Sequence, residues 1–197
     1  MPGMTFRAAA TDLSSYAMSD TVFDTQYGYD AVGNPVYSET NHRVTFTNAV
    51  TDVSAKARTG YGYGNRAFQM ECVVKPAQAV VIGLLFGVTP PASNTFFAEV
   101  GDLGYSSSLG LQIGIGGASK TTIASLPTWG ANDIIGMIYR AAARTLTVYL
   151  NGAIVYVYAS ASGNYWPACY SGGNNTASVR LSTAWSYALP NDVLFWR

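Results

Sequence analysis

After about residue 40, apolar residues recur at every second position through most of the chain, the period of a half-buried β-strand. The clearest case is residues 132–152, N-D-I-I-G-M-I-Y-R-A-A-A-R-T-L-T-V-Y-L-N-G, followed at once by A-I-V-Y-V-Y-A. Asn-Gly between alternating apolar residues predicts a two-residue hairpin turn at Asn151-Gly152. Such a turn sets Leu150 opposite Ala153, Val148 opposite Val155 and Leu146 opposite Val157, and residues directly opposite share a face. These six residues are expected in the core. The other face, Thr145, Thr147, Tyr149, Ile154, Tyr156 and Tyr158, is more apolar than a solvated sheet face. It needs a cover, either the chain's own second sheet or terminus, or a partner subunit.

Further strands are expected at 43–47, 66–74, 80–88, 134–140, 166–170 and 177–183, and Leu109, Leu111, Ile113 and Ile115 alternate in another. In 66–74 the pattern turns Phe68, Met70 and Cys72 inward and Gln69, Glu71 and Val73 outward. In 177–183 it turns Val179 and Leu181 inward and Ser178, Arg180 and Ser182 outward. Residues 80–88 are apolar on both faces, which predicts a central strand, with Gly83 and Gly87 marking a close approach or a bulge. About nine strands with little helix predict an all-β fold, an antiparallel two-sheet sandwich. Residues 1–40 have weak periodicity, a possible short helix over 11–19 capped by Thr11 or Asp12, and turn chemistry at Gly28, Gly33 and Asn34-Pro35. They read as an N-terminal arm or wrapped segment, with the sandwich spanning 41–197.

A chain of 197 residues suits one domain whose core needs no staple. Eleven basic residues balance eleven acidic ones and lie scattered, so neither nucleic acid nor an anionic membrane surface is an expected partner. No apolar run approaches a membrane span, and residues 1–12 lack the apolar core of a signal peptide. The expectation is a protein used in the cytosol or released as part of a particle. Cys72 and Cys169 fall in apolar strand-like runs, where buried reduced thiols are the default and a disulfide stays open.

Candidate chemistry is sparse. His42 is the single histidine, and with Glu39 as the nearest carboxylate it reads as structural or surface rather than as a catalytic base. One His and two separated Cys cannot make a zinc site, and Asp24 and Asp30 lack calcium-loop spacing. The stretch 114–121, G-I-G-G-A-S-K-T, lacks the Gly before Lys and the helix that a phosphate-binding loop requires, so it reads as a strand-ending loop. No cofactor is expected. The loop R-T-G-Y-G-Y-G-N-R at 58–66 carries more weight. Tyr61 and Tyr63 alternate with glycines between Arg58 and Arg66. These could stack on a surface glycan or fill a partner's groove, or the tyrosines could fold back onto the sandwich. Trp129 and Trp166 are expected in the core, while Trp196 in V-L-F-W-R either packs on the domain or docks on a neighbour.

From about Arg58 onward, the order of elements resembles the SPRY family of concanavalin-like sandwiches. V-I-G-L-L-F-G at 81–87 resembles the family's "viGv" strand, and S-L-G-L at 108–111 its "S-x-G-l" strand. W-G-A-N-D-I-I-G-M-I-Y at 129–139 is similar to "gDvIGc-x-l-D", and T-L-T-V-Y-L-N-G at 145–152 to "g-t-i-s-F-y-x-N-G". Y-W-P-A-C-Y at 165–170 resembles "l-y-P-a-v", and Y-A-L-P at 187–190 the closing "f-x-y-x-P". The usual "Y-W-E-V" reads A-F-Q-M-E-C-V here, and Y-R-A-A-A-R replaces the Asp expected after the Ile134 strand. The resemblance implies non-enzymatic recognition through loops at one edge of the sandwich, and no ligand-contact motif is present to carry over. Sandwich glucanases related to this fold carry E-x-D-x-x-E on one strand; the nearest pair here, Glu99 and Asp102, is broken by Gly101 and reads as a loop.

The alanine-rich, lysine-poor composition resembles modules carried on phage particles. The expectation is therefore a structural or binding protein on a bacteriophage virion, as head decoration or tail-associated, touching other virion proteins and itself. Tyr149, Ile154, Tyr156, Tyr158 and Trp196 are its expected subunit contacts. The alternatives are a glycan-binding adhesin acting through Tyr61 and Tyr63, and a cytosolic peptide-binding module.

Overall fold

The computed structural model describes residues 22–25, 35–47, 53–58, 64–74, 80–87, 97, 100–117, 119–159, 161, 163–171 and 176–195. The expected helix at 11–19, together with Asp30, Tyr61, Tyr63, Glu99 and Trp196, lies outside them. In chain order the strands are β1 (Val36–Ser38), β2 (Arg43–Phe46), β3 (Val53–Lys56), β4 (Asn65–Val74), β5 (Val80–Gly87), β6 (Leu103–Ser106) and β7 (Gly110–Gly116). They continue with β8 (Ser119–Ala124), β9 (Ile134–Arg140), β10 (Thr145–Leu150), β11 (Ala153–Ala159), β12 (Asn164–Ser171), β13 (Ala177–Leu181) and β14 (Leu194–Phe195).

They form two sheets, one in the order β1-β2-β13-β4-β9-β10-β11 with β14 beside β4, the other β3-β12-β5-β6-β7-β8. Every pairing is antiparallel except β14 with β4. The all-β sandwich predicted from the alternation is the observed fold. The inward residues of the two sheets meet as one core: Phe68, Met70 and Cys72 of β4 and Leu146 and Val148 of β10 on one side, Ile82 and Leu84 of β5 and Tyr165 and Cys169 of β12 on the other. β5 is central, as its two-sided apolar sequence implies, and Gly83 marks a close approach: a Cβ there would meet the Leu103 carbonyl oxygen. Strands β1, β3, β6, β8 and β14 carry too little apolar alternation to stand out in the sequence. In the segment expected to be an arm, Phe23 is fully buried and bridges to Ala57, and β1 pairs with β2. Both cysteines are buried thiols with no disulfide, and burial pushes the Cys169 thiol up.

The hairpin corrects one expectation. Asn151 and Gly152 both take positive φ (51° and 83°), as the predicted turn requires, and Leu150 does pair with Ala153. Beyond Tyr149–Ile154 the register slips: Val148 pairs with Tyr156 and Leu146 with Tyr158, leaving Val155 as an unpaired bulge. One extra residue in a strand with a two-residue period turns every later side chain to the other face. Tyr156 and Tyr158, expected outside, therefore pack on the core. Val157, expected inside, is 53% exposed, and Ile154 is 61% exposed.

The remaining outer face has its cover. Residues 182–195 run back across β4, β9 and β10, where Trp185, Leu189 and Phe195 pack with Tyr149 around Ala67, Ile138 and Val193. Of the two covers anticipated, it is the chain's own terminal segment that seats Tyr149. Gln69 points outward as expected, yet this strap buries it: its amide donates to Ser182 Oγ (3.2 Å) and Ser186 Oγ (2.7 Å), and its Oε1 accepts from Ser186 N (3.0 Å).

Candidate functional site

The β1–β2 connection is a tightly constrained turn. Glu39, Thr40 and Asn41 take positive φ in succession (53°, 55° and 68°). Left-handed conformations of residues other than glycine cost about 1–3 kcal/mol each and persist where their surroundings over-determine them. Here Phe23 N donates to Asn41 O (2.8 Å), His42 N to Glu39 O (3.1 Å) and Leu181 N to His42 O (2.7 Å). The Glu39 carboxylate is clamped from the next strand but one. Arg180 Nε donates to its Oε2 (2.6 Å) and Nη2 to its Oε1 (2.9 Å), while Arg43 Nη1 adds a longer contact (3.3 Å). Arg180 Nη1 also reaches Glu71 Oε2 (2.8 Å), so one guanidinium bridges two carboxylates. The Arg180 hydrogen bonds hold the Glu39 carboxyl down at about 2, and raise Arg180 in turn.

This network walls an open pocket of about 460 Å³, lined by Glu39, His42, Arg180 and the start of the strap at Ser182, Thr183, Ala184 and Ser186. His42 Nδ1 lies 3.1 Å from the Glu39 carbonyl oxygen. A carbonyl only accepts, so Nδ1 carries a proton and donates. Nε2 is buried and has no partner among the described residues. The pocket therefore offers an exposed Glu39–Arg180 ion pair at its wall and the hydroxyls of Ser182, Thr183 and Ser186. His42 had read as structural or surface; the pairing of β2 with β13, far apart in sequence, is what sets it beside 180–186.

The expected loop site is bracketed by what the structure describes. The exposed Arg58 donates its backbone N–H to Val22 O (2.8 Å), and Arg66 lies half-buried on β4 beside β14. The residues between them that carry the tyrosines lie outside the described set. Most of the 114–121 stretch is strand rather than the expected loop: Gly114–Gly116 end β7 and Ser119–Thr121 begin β8, paired with each other across the turn at Gly117. Lys120 on β8 stands over the rings of Phe97 (5.1 Å) and Tyr170 (5.3 Å). One feature missed in the sequence joins two of the family-like segments. Asn151 Nδ2 donates to Asp133 Oδ1 (2.7 Å), its Oδ1 accepts from Ile134 N (2.8 Å), and Asp133 Oδ2 accepts from Gly130 N (2.6 Å). The hairpin turn is thereby tied to the entry of β9.

No protein-family model and no curated protein sequence matches the chain. Solved structures do. The SPRY domain of human HERC1 superposes with a TM-score of 0.63 at 15% identity, over 81% of this chain and 96% of that one. The TRIM65 PSpry domain gives 0.59 at 13% identity, over 83% and 92%. Stonustoxin gives 0.58 at 12%, over 83% of this chain and 28% of the toxin chain. At these identities the likeness is one of fold: the chain folds as a SPRY-type β-sandwich.

Proposed function

We propose that this chain is a non-catalytic binding module that takes a short segment of a partner protein into the pocket beside the β1–β2 turn. The observation that carries this reading is the pre-ordered lining. The turn is locked by hydrogen bonds and Glu39 is clamped by Arg180. A surface already fixed in its binding geometry loses less entropy when a partner docks. The paired charges suit a polar peptide rather than a polymer of one sign, and the hydroxyls of Ser182, Thr183 and Ser186 can donate to or accept from its backbone. The likeness to SPRY domains supports a module of the protein-interaction kind.

The test is selection of binders from a random peptide library, followed by calorimetry on wild type and Ala184→Trp. Ala184 is exposed and lines the pocket, so an indole there fills it without disturbing the core. A loss of at least tenfold in affinity is the expected result. Unchanged affinity would move the site elsewhere.

The same proposal sets the module on the surface of a bacteriophage particle, as a head-decoration or tail-associated protein in contact with other virion proteins. Its support is compositional: few charges, zero formal net charge, and a chain rich in alanine and hydroxyl residues. Mass spectrometry of particles purified from cells carrying the gene tests it, and absence of the chain from those particles would remove that placement.

A further inference from the structure

The sheet edges differ in how they are closed to another strand. β1 is three residues long, and β3 is four and runs on into the Phe23–Ala57 bridge. β8 presents Lys120 with exposed Thr121 and Thr122. Short length, lysine and covering segments are the devices by which proteins keep edge strands from pairing. Among the described residues β11 has none of these, and its one protective device is a bulge. It is seven residues, A-I-V-Y-V-Y-A, without charge, proline or glycine, and among the described residues only β10 pairs with it. Its one irregularity, the bulge at Val155, lies toward its start, and Tyr156–Ala159 run in regular register. The strap that covers Tyr149 leaves Ile154 and Val157 more than half exposed.

We infer that β11 pairs antiparallel with β11 of a second copy, about a two-fold axis through Val157. The choice of a second copy rests on the sequence of the strand. In a two-fold contact, residue i meets j and j meets i. Tyr156-Val157-Tyr158 reads the same in both directions, so this register sets Val157 against the partner's Val157 on the outer face. It sets Tyr156 against the partner's Tyr158, and Tyr158 against the partner's Tyr156, on the face that continues the core. Aromatic and β-branched cross-strand pairs are the favourable ones in antiparallel sheets. The bulge is what makes this possible. Without it the tyrosines would point outward and Val157 would be buried. The two eight-stranded sheets would join edge to edge, and the open edges of both would disappear.

The test is light scattering on the full chain at two concentrations, with three variants. Wild type should have about twice the mass of the 20.9 kDa chain. Val157→Lys places two ammonium groups together at the axis and should raise the dimer dissociation constant at least tenfold, with its unfolding transition kept because Val157 is exposed. Ile115→Lys changes an equally exposed residue on the other sheet, 57% exposed, and should stay dimeric. Val157→Cys should cross-link to a disulfide dimer under mild oxidation, since directly opposed Cα atoms lie within disulfide reach. Wild type that remains monomeric at high concentration overturns the inference. So does a dimer that neither Val157→Lys weakens nor Val157→Cys cross-links. Peptide binding in the pocket, read with Ala184→Trp, is unaffected by either result.

Discussion

Gly136 is the seat of Trp185: a Cβ at position 136 would lie 2.5 Å from the indole Cη2. The ring sits there edge-on to Tyr149, with centroids 5.5 Å apart. Glycine on the outer face of β9 opens the slot that lets residues 182–195 lie down over the sheet. Gly136→Ala should therefore lift the strap and cost about 1–3 kcal/mol, the usual range for overpacking. The same substitution made in a Trp185→Ala background should cost much less, because the clash is gone. Urea unfolding of the four proteins of this cycle measures the coupling. Additive costs would mean that Gly136 is needed for something other than the indole.

The bulge at Val155 makes a prediction that a regular hairpin reverses. Tyr158 packs on the core, whereas Val157 is exposed. Tyr158→Ser should destabilise the fold by about 2 kcal/mol, as loss of a half-buried aromatic does. Val157→Ser should stay within about 0.5 kcal/mol at protein concentrations too low for two copies to pair. Chemical denaturation of the two variants decides between the registers, and a costly Val157→Ser with a harmless Tyr158→Ser would sink the bulged one.

What the sequence made legible follows from the range of each determinant. The turn at Asn151-Gly152 was legible because two adjacent residues carry the positive φ values it needs. The inward set Phe68, Met70 and Cys72 was legible because a period of two is a local property. The bulge was not, since V-Y-V-Y is apolar at every position and either register buries something large. Nor was the strap, because Trp185 is seated by a glycine some fifty residues earlier. The pocket eluded the sequence for the same reason: Glu39 and His42 reach Arg180 only through a pairing that crosses most of the chain. The Glu39–Arg180 pair, whose members stand 141 residues apart, gives no local sign of itself.

That pair also fixes how stability responds to acid. The hydrogen bonds from Arg180 hold the Glu39 carboxyl at about 2 in the folded protein, against 4.5 for the ordinary group. A carboxyl depressed on folding contributes stability that is fully present above its unfolded pKa and lost as pH falls through its folded one. The contribution of Glu39 should therefore hold above about pH 4.5 and fade toward pH 2. Urea midpoints of wild type and Glu39→Gln should differ most at neutral pH and converge over that interval. A gap that does not change with pH would show that the carboxylate contributes no charge-dependent stability. Because Glu39 is solvent-exposed, added salt should narrow the gap.

Lys56 and Asp24 give the sharpest asymmetry. Lys56 Nζ lies 2.7 Å from Asp24 Oδ2, and the lysine side chain is 3% exposed while the aspartate is 26% exposed. Removing the partner of a buried charge costs more than replacing that charge by an apolar side chain of similar size. Asp24→Ala takes away a carboxylate that neutralises an ammonium shut away from water, and should cost at least about 2 kcal/mol. Lys56→Met keeps the buried stem volume and leaves Asp24 with access to solvent, so its cost should be smaller. Lys56 lies on the edge strand β3, next to the point where Phe23 bridges to Ala57. Loss of the pair should therefore also loosen residues 22–25. Hydrogen exchange of the Phe23 and Asp24 amides, which donate to Asn41 O and Lys56 O, reads this directly. Faster exchange in Asp24→Ala than in Lys56→Met is the expected order, and the reverse would show that the ammonium is satisfied without Asp24.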